Sequence, residues 1–356
     1  MKSTEPPTSS SRLVAQSVGR RLLGIALILG GIGWLLFELF SRGTIAGIDV
    51  QVARVDSAQA IPVQRFTVTR VEVTGVNDQV VLNGASGEEV VLSGERRGFG
   101  WAANAAASAA AQIQVVAEQR GDTLYIDVRR QSWAPWSFGR NPYARLELAL
   151  PPDVTFDVSL GSGEVSLRQT VASGTVTTVS GRVNADGAGG DLTINTTSGA
   201  IELRDQRGSL QCTTVSGDLF LTGQLDNLIA QTTSGDVTVR GAANVAQIKT
   251  VSGQIVVDTA ITRQLALDSG SGAITFIGQL AAGQHRIQTI SGDIAITLRQ
   301  PDVDLAFSTV SGQITVPDAL AAQVVNRRSL TATLGEGGAQ VQASSTAGNI
   351  TLALET

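Results

Sequence analysis

Cysteine, histidine, aromatic rings and charge are all scarce in this chain. A single cysteine, Cys212, excludes an internal disulfide framework and a cysteine-based zinc site. A single histidine, His285, excludes a multi-histidine metal centre. Charged residues are 16% and aromatics 4% of the 356 residues, low for a compact enzyme. The net charge of −5 lacks the basic face that nucleic acid requires. No cofactor, metal or nucleic acid is therefore expected. Glycine, by contrast, is plentiful at 39 residues and sits among many serines and threonines, which suggests short strands joined by tight turns.

The N-terminal end departs from this character. Residues 1–21 are polar, with Pro6, Pro7 and the serines Ser9 to Ser11, and are expected to be a disordered cytoplasmic tail. Residues 22–40 follow as an apolar run broken only by Glu38. Nineteen helical residues would span roughly 28 Å, close to the ~30 Å hydrocarbon core of a bilayer. Arg20 and Arg21 precede the run, so the expected topology is a single transmembrane helix, with the N-terminus cytoplasmic and the rest extracytoplasmic. A cleaved signal ending near Thr44-Ile45-Ala46 is the competing reading, disfavoured by the bulk of Glu38 and Phe40. Residues 41–60 read as a linker.

From Leu160 a phrase recurs: GSGEV, VSGRV, TSGAI, VSGDL, TSGDV, VSGQI, GSGAI, ISGDI, VSGQI. Its glycines, from Gly163 and Gly181 through to Gly292 and Gly312, are spaced by 18 residues five times and then by 19, 20 and 20. A degenerate copy follows at Ser329-Leu330 and another at residues 347–350. A period this regular predicts a solenoid. Within one period Leu192, Ile194 and Thr196 alternate, Ser198-Gly199 interrupts, and Ile201 and Leu203 alternate again. That is two short strands with a glycine corner between them, and no room for a helix. The fold expected for residues 151–356 is an all-β parallel solenoid of about ten coils, roughly 45–50 Å long at the usual strand spacing. Ile201, Leu219, Val237, Ile255, Ile274, Ile294 and Ile314 would stack as one core column. Residues 61–150 lack the phrase but remain strand-like, with a hairpin turning at residues 119–122, and read as an N-terminal β cap over the open sheet edge.

Leu146–Leu150 (as LELAL), Pro151-Pro152 and the serial SGDV/SGDI phrases resemble the bacterial putative-adhesin β-solenoid family, a domain of unknown function. The resemblance covers roughly residues 61–356 and implies an extracytoplasmic parallel β-solenoid with no established activity and no catalytic residues. Separately, the segment from Leu22-Leu23-Gly24 to Trp34-Leu35-Leu36 is similar to the membrane segment of LiaI/LiaF-type envelope-stress proteins.

Few residues suggest chemistry. Cys212 falls in an apolar column and His285 in an expected surface turn at residues 283–286, so neither reads as reactive. Ser180, Ser198, Ser216 and their successors form one hydroxyl file, and Thr196, Thr214, Thr232 and Thr250 another; both are expected to bond the corner backbone. Asp218 and Asp236, one coil apart, could pair as the acid and base of a carbohydrate-active β-helix, but exposed turn solvation is the simpler reading. Arg120-Gly121-Asp122 spells an integrin-recognition tripeptide and also fits a hairpin turn. The aromatic inserts carry more weight. Trp101, Trp133, Trp136 and Phe138 gather in two loops of the cap, where they either cover the first coil or form an interaction patch. The function these features favour is a non-enzymatic, membrane-anchored extracytoplasmic scaffold, an adhesion or envelope-interaction protein. It would hold the membrane through residues 22–40 and meet an envelope protein or surface polysaccharide. A carbohydrate-active β-helix and a sensory ectodomain coupled to a membrane signalling partner are the alternatives.

Overall fold

The computed structural model describes residues 44–45, 48–49, 55–100, 102–130 and 141–355. Strands dominate them, interrupted by one α-helix, Ala103–Ala111, and one 3-10 helix, Asp318–Gln323. No helix among the described residues is long and apolar enough to cross a membrane, and the apolar run at 22–40 lies outside them. Apart from the separate pair Thr44–Ile45 and Ile48–Asp49, the strands join laterally into one closed wall around a single core.

The repeat sets the pairing. Leu210–Thr214 (by register) lies parallel to residues 228–232, and those lie parallel to residues 246–250, each eighteen residues on. The second strand behaves alike: Ile201 stands beside Leu219, Leu219 beside Val237 and Val237 beside Ile255. Alternation turns one face inward, so these four are buried while Glu202, Phe220, Thr238 and Val256 face outward. Full burial of each such aliphatic side chain contributes about 1.5–3 kcal/mol, repeated down the column. The corner glycines allow the coils to approach this closely. A Cβ on Gly217 would lie 2.2 Å from the carbonyl oxygen of Gly199 in the adjacent coil. The requirement is space, because no left-handed φ is involved there.

Two ends depart from the repeat. Arg70–Gly84 is a first coil that pairs with Thr155–Arg168, and the chain between them builds a cap on its other side. In that cap Ile113–Arg120 and Thr123–Arg130 form the expected hairpin, with Gly121 at φ +60° in the turn. Arg120 pairs there with Glu118 and lies over the Tyr125 ring, as a hairpin-turn residue. Val55–Phe66, which begins inside the stretch read as linker, runs antiparallel to Val90–Gly100, and Val90–Gly100 runs antiparallel to Tyr143–Leu150. The helix Ala103–Ala111, built of small helix-favouring residues, lies flush on Val55–Phe66 and Val90–Gly100. Gly98 permits this contact, since a Cβ there would meet Ala106 O at 2.1 Å.

The far end corrects the serial order read from the sequence. Gly283–Ser291 pairs with Ala339–Ala347, not with Val303–Thr309, and Val303–Thr309 pairs with the other edge of Ala339–Ala347. The same holds for the second strands: Ile294 stands beside Ile350, and Ile350 beside Ile314. The last coil in sequence is therefore inserted between the two preceding ones. Ser329–Leu334 is not a further coil either. Pro317, the 3-10 helix and left-handed Asn326 and Arg327 reverse the chain, so this strand returns antiparallel along Val303–Thr309.

Candidate binding face

Outward residues of successive coils form files, because parallel register places equivalent positions side by side. One file runs Gln264, Gln284, Gln340. The next runs Gln247, Ala266, Arg286, Gln342, and a third runs Gln231, Lys249, Asp268, Gln288. All of these except Gln288 line a groove of 410 Å³ on the outer face. Ala266, with a single methyl group between Gln247 and Arg286, gives the groove its depth. Arg286 lies 3.5 Å from Asp268, whereas Lys249 has no carboxylate partner. The face thus offers primary amides, each both donor and acceptor, and one unmatched positive charge. Sequence reading missed it because these glutamines are scattered along the chain. Only the register, and the insertion of the last coil, brings them together.

Other residues singled out from the sequence have mostly structural surroundings. Asp218 Oδ1 accepts from the Asp236 backbone N–H at 3.0 Å, and Asp236 Oδ1 accepts from Gln254 N–H at 2.8 Å. The pattern recurs where Asp293 takes the Asn349 N–H and Asn349 takes that of Gln313. These carboxylates form a corner ladder between coils, which is more than turn solvation. The serine file is exposed. The threonine file is not: Thr196, Thr214, Thr232 and Thr250 point into the core, and their hydroxyls have no hydrogen-bond partner. The expectation of corner bonding fails there, although Thr289 and Thr309 do donate to corner glycine carbonyls. Cys212 is fully buried, and burial pushes its thiol up, away from the reactive thiolate.

His285 is the clearest correction. It is 2% exposed and stands between Leu265 and Val341 in a core column, not in a surface turn. Its Nε2–H donates to Ala281 O at 2.9 Å, and buried Nδ1 has no partner. Burial holds its pKa below the ordinary histidine value, partly opposed by that hydrogen bond. Asp78 was not anticipated at all. It occupies the first coil's counterpart of the corner glycine, beside Gly163, and is fully buried. Its carboxylate accepts from Arg130 at 2.6 Å, from Ala144 N–H at 2.8 Å and from Val76 N–H at 3.1 Å. The replacement of Ser-Gly by Asn77-Asp78 in the first coil was a readable signal once the register was known.

Trp101, Trp133, Trp136 and Phe138 lie outside the described residues. The strands from which their inserts leave are adjacent, with Arg97 opposite Tyr143 and the Phe99 and Tyr143 rings 6.0 Å apart. Asp78 clasps both stems of the second insert through Arg130 and Ala144. Among the described residues no three His, Cys, Asp or Glu side chains come together as a metal site.

No curated protein matches the chain. Among solved structures, a putative cell adhesion protein from Clostridium sporogenes aligns at 9% identity, over 85% of this chain and 100% of its own, with a TM-score of 0.22. A putative adhesin from Bacteroides fragilis aligns at 13% identity over 83% and 97%, with a TM-score of 0.31. A putative lipid binding protein from Parabacteroides distasonis aligns at 13% identity over 83% and 96%, with a TM-score of 0.37. Similarity at this level says nothing about what this chain binds, and the stretch likened to LiaI/LiaF-type proteins lies outside the described residues. The family match is firmer: residues 93–353, most of the cap and all of the repeats, fit one family description throughout, and the chain belongs to the Toastrack DUF4097 family.

Proposed function

We propose that this chain is a non-enzymatic scaffold of the cell envelope, a parallel β-solenoid held at the membrane by residues 22–40 and facing the extracytoplasmic side. The solenoid reading is supported by parallel pairing at an eighteen-residue offset, coil upon coil. The observation that carries the non-enzymatic reading is the fate of the corner carboxylates. Asp218 and Asp236 each accept a backbone N–H from the next coil, so their geometry serves the stack and not an acid–base pair across a substrate. The outer groove is lined chiefly by amides, which bind without titrating, and its one carboxylate, Asp268, is paired with Arg286. The basic flank of Arg20 and Arg21 supports the orientation.

The test uses the full-length chain in bacterial spheroplasts and isolated envelopes. Added protease should remove the repeats and leave the N-terminal tail protected, and the purified chain should sediment with envelopes. Protected repeats with an accessible tail would overturn the orientation. Release of reducing sugar ends from envelope polysaccharide by the chain would overturn the non-enzymatic reading.

A further inference from the structure

We infer that the amide groove holds one extended, sparsely acidic polysaccharide chain, of the uronic-acid-containing kind, lying along the stack axis. This rests on the scaffold reading above and narrows its partner to a chemical class. The first support is periodicity. Gln264, Gln284 and Gln340 repeat at the spacing of adjacent parallel strands, ~4.8 Å, so the groove offers the same group at each step. A polymer whose own units advance by a comparable length can meet every amide in turn, and an extended chain of pyranose rings does so. The second support is chemistry. Sugar hydroxyls both donate and accept, and a primary amide is the neutral side chain that answers both. A protein partner would be expected to insert aromatic or aliphatic anchors into apolar pockets, and the outward side chains of the groove are polar except for Ala266.

The third support is charge. Arg286 is paired with Asp268, which leaves Lys249 as the one unmatched cation of the groove in a chain of net charge −5. A carboxylate on an occasional sugar unit would pair with it, while a densely charged polyanion would meet too few cations to be held. The site also depends on the inserted coil, because Gln340 and Gln342 extend two files that would otherwise end at Gln284 and Arg286. A strictly serial stack would place Asp304 and Ala306 there, since those residues pair with Gln340 and Gln342 on the far side.

The experiment is affinity electrophoresis of the full chain in detergent, through gels containing glucuronoxylan, an extended pyranose chain with occasional uronic acid units, or neutral dextran. Glucuronoxylan should retard the wild-type chain more than dextran does. The double variant Gln284→Ala/Gln340→Ala alters exposed side chains only and should raise the apparent Kd by about tenfold or more, as loss of two hydrogen bonds implies. Lys249→Gln should abolish the low-salt enhancement of binding and leave the high-salt component. Unchanged melting temperatures would confirm that both variants fold. Wild-type retardation by neither polymer, with envelope sedimentation intact, would overturn the polysaccharide assignment and leave the scaffold reading standing. Failure of envelope sedimentation as well would overturn both. Equal retardation of the double variant and wild type would place the ligand elsewhere and refute the groove.

Discussion

A single methyl group added at Gly217 is the smallest change that tests how the coils are held together. In Gly217→Ala the new Cβ would sit 2.2 Å from Gly199 O and 2.8 Å from Gly199 C, both backbone atoms of the neighbouring coil. Neither can rotate away, so relief requires the two corners to separate by about 1 Å to restore ordinary contact. The hydrogen bonds across that corner, Ser216 N–H to Thr197 O at 2.8 Å and Ile201 N–H to Asp218 O at 3.0 Å, would stretch with it. At a net ~1 kcal/mol for each bond, plus loosened packing of Ile201 on Leu219, the expected cost is roughly 2–4 kcal/mol. Gly87 is the control, because an added Cβ there meets nothing within 4 Å and the backbone is not left-handed. Gly87→Ala should change stability by less than ~0.5 kcal/mol. Urea unfolding of the full-length chain followed by circular dichroism reads both variants. Equal midpoints for the two would refute close approach as the reason for the corner glycines.

Asp218→Ala should cost about 1 kcal/mol and Asp218→Asn much less, because asparagine keeps the oxygen that accepts the Asp236 N–H; equal losses in urea melts would deny the ladder. Asp78→Ala should cost ~3–5 kcal/mol, since it leaves Arg130 and the Ala144 N–H without their buried acceptor, and a neutral result would remove Asp78 as the clasp. Thr232→Val replaces an unpartnered buried hydroxyl by a methyl group of like shape and should be neutral or raise stability by up to ~1 kcal/mol; a clear loss would reveal a partner for that hydroxyl. Burial lowers the pKa of His285 in the folded chain, so as pH falls below ~6.5 the unfolded chain takes up its proton before the folded one does. Stability should therefore decline from pH 7 to 5, and His285→Leu should flatten that decline in paired thermal melts.

The repeat, its two strands and its core columns were legible because one face of every strand is buried, which imposes alternation on each copy. Cys212 was placed in its column by the same logic. His285 was misplaced although it stands two residues before buried Ile287, on the inward phase of the strand; its polarity outweighed its position. The order of the last coils was not legible. Parallel pairing looks the same whether a coil's neighbour is the next in sequence or the one after, so a period alone names members of the stack and not their succession. Asp78 escaped notice because a buried ion pair between residues 52 apart leaves no local pattern.

The inserted final coil bears on how the chain is made. Coils 1 to n can dock one by one as they leave the ribosome, each on a finished predecessor. Residues 303–334 emerge before residues 339–355, yet their place is on the far side of the coil that those later residues form. At ~5–20 residues per second the wait is on the order of seconds, and during it the edge at Gly283–Ser291 stands open. The glycines at 335, 337 and 338, whose N–H groups or neighbours are gathered by Asp302, form the bend through which the last segment turns back into that slot. A chain released even one coil early would leave an unfilled gap inside the stack, not a shorter version of it. Docking of residues 339–355 thus acts as the closing step of this stack, and a chain cut before them would leave that edge unpaired.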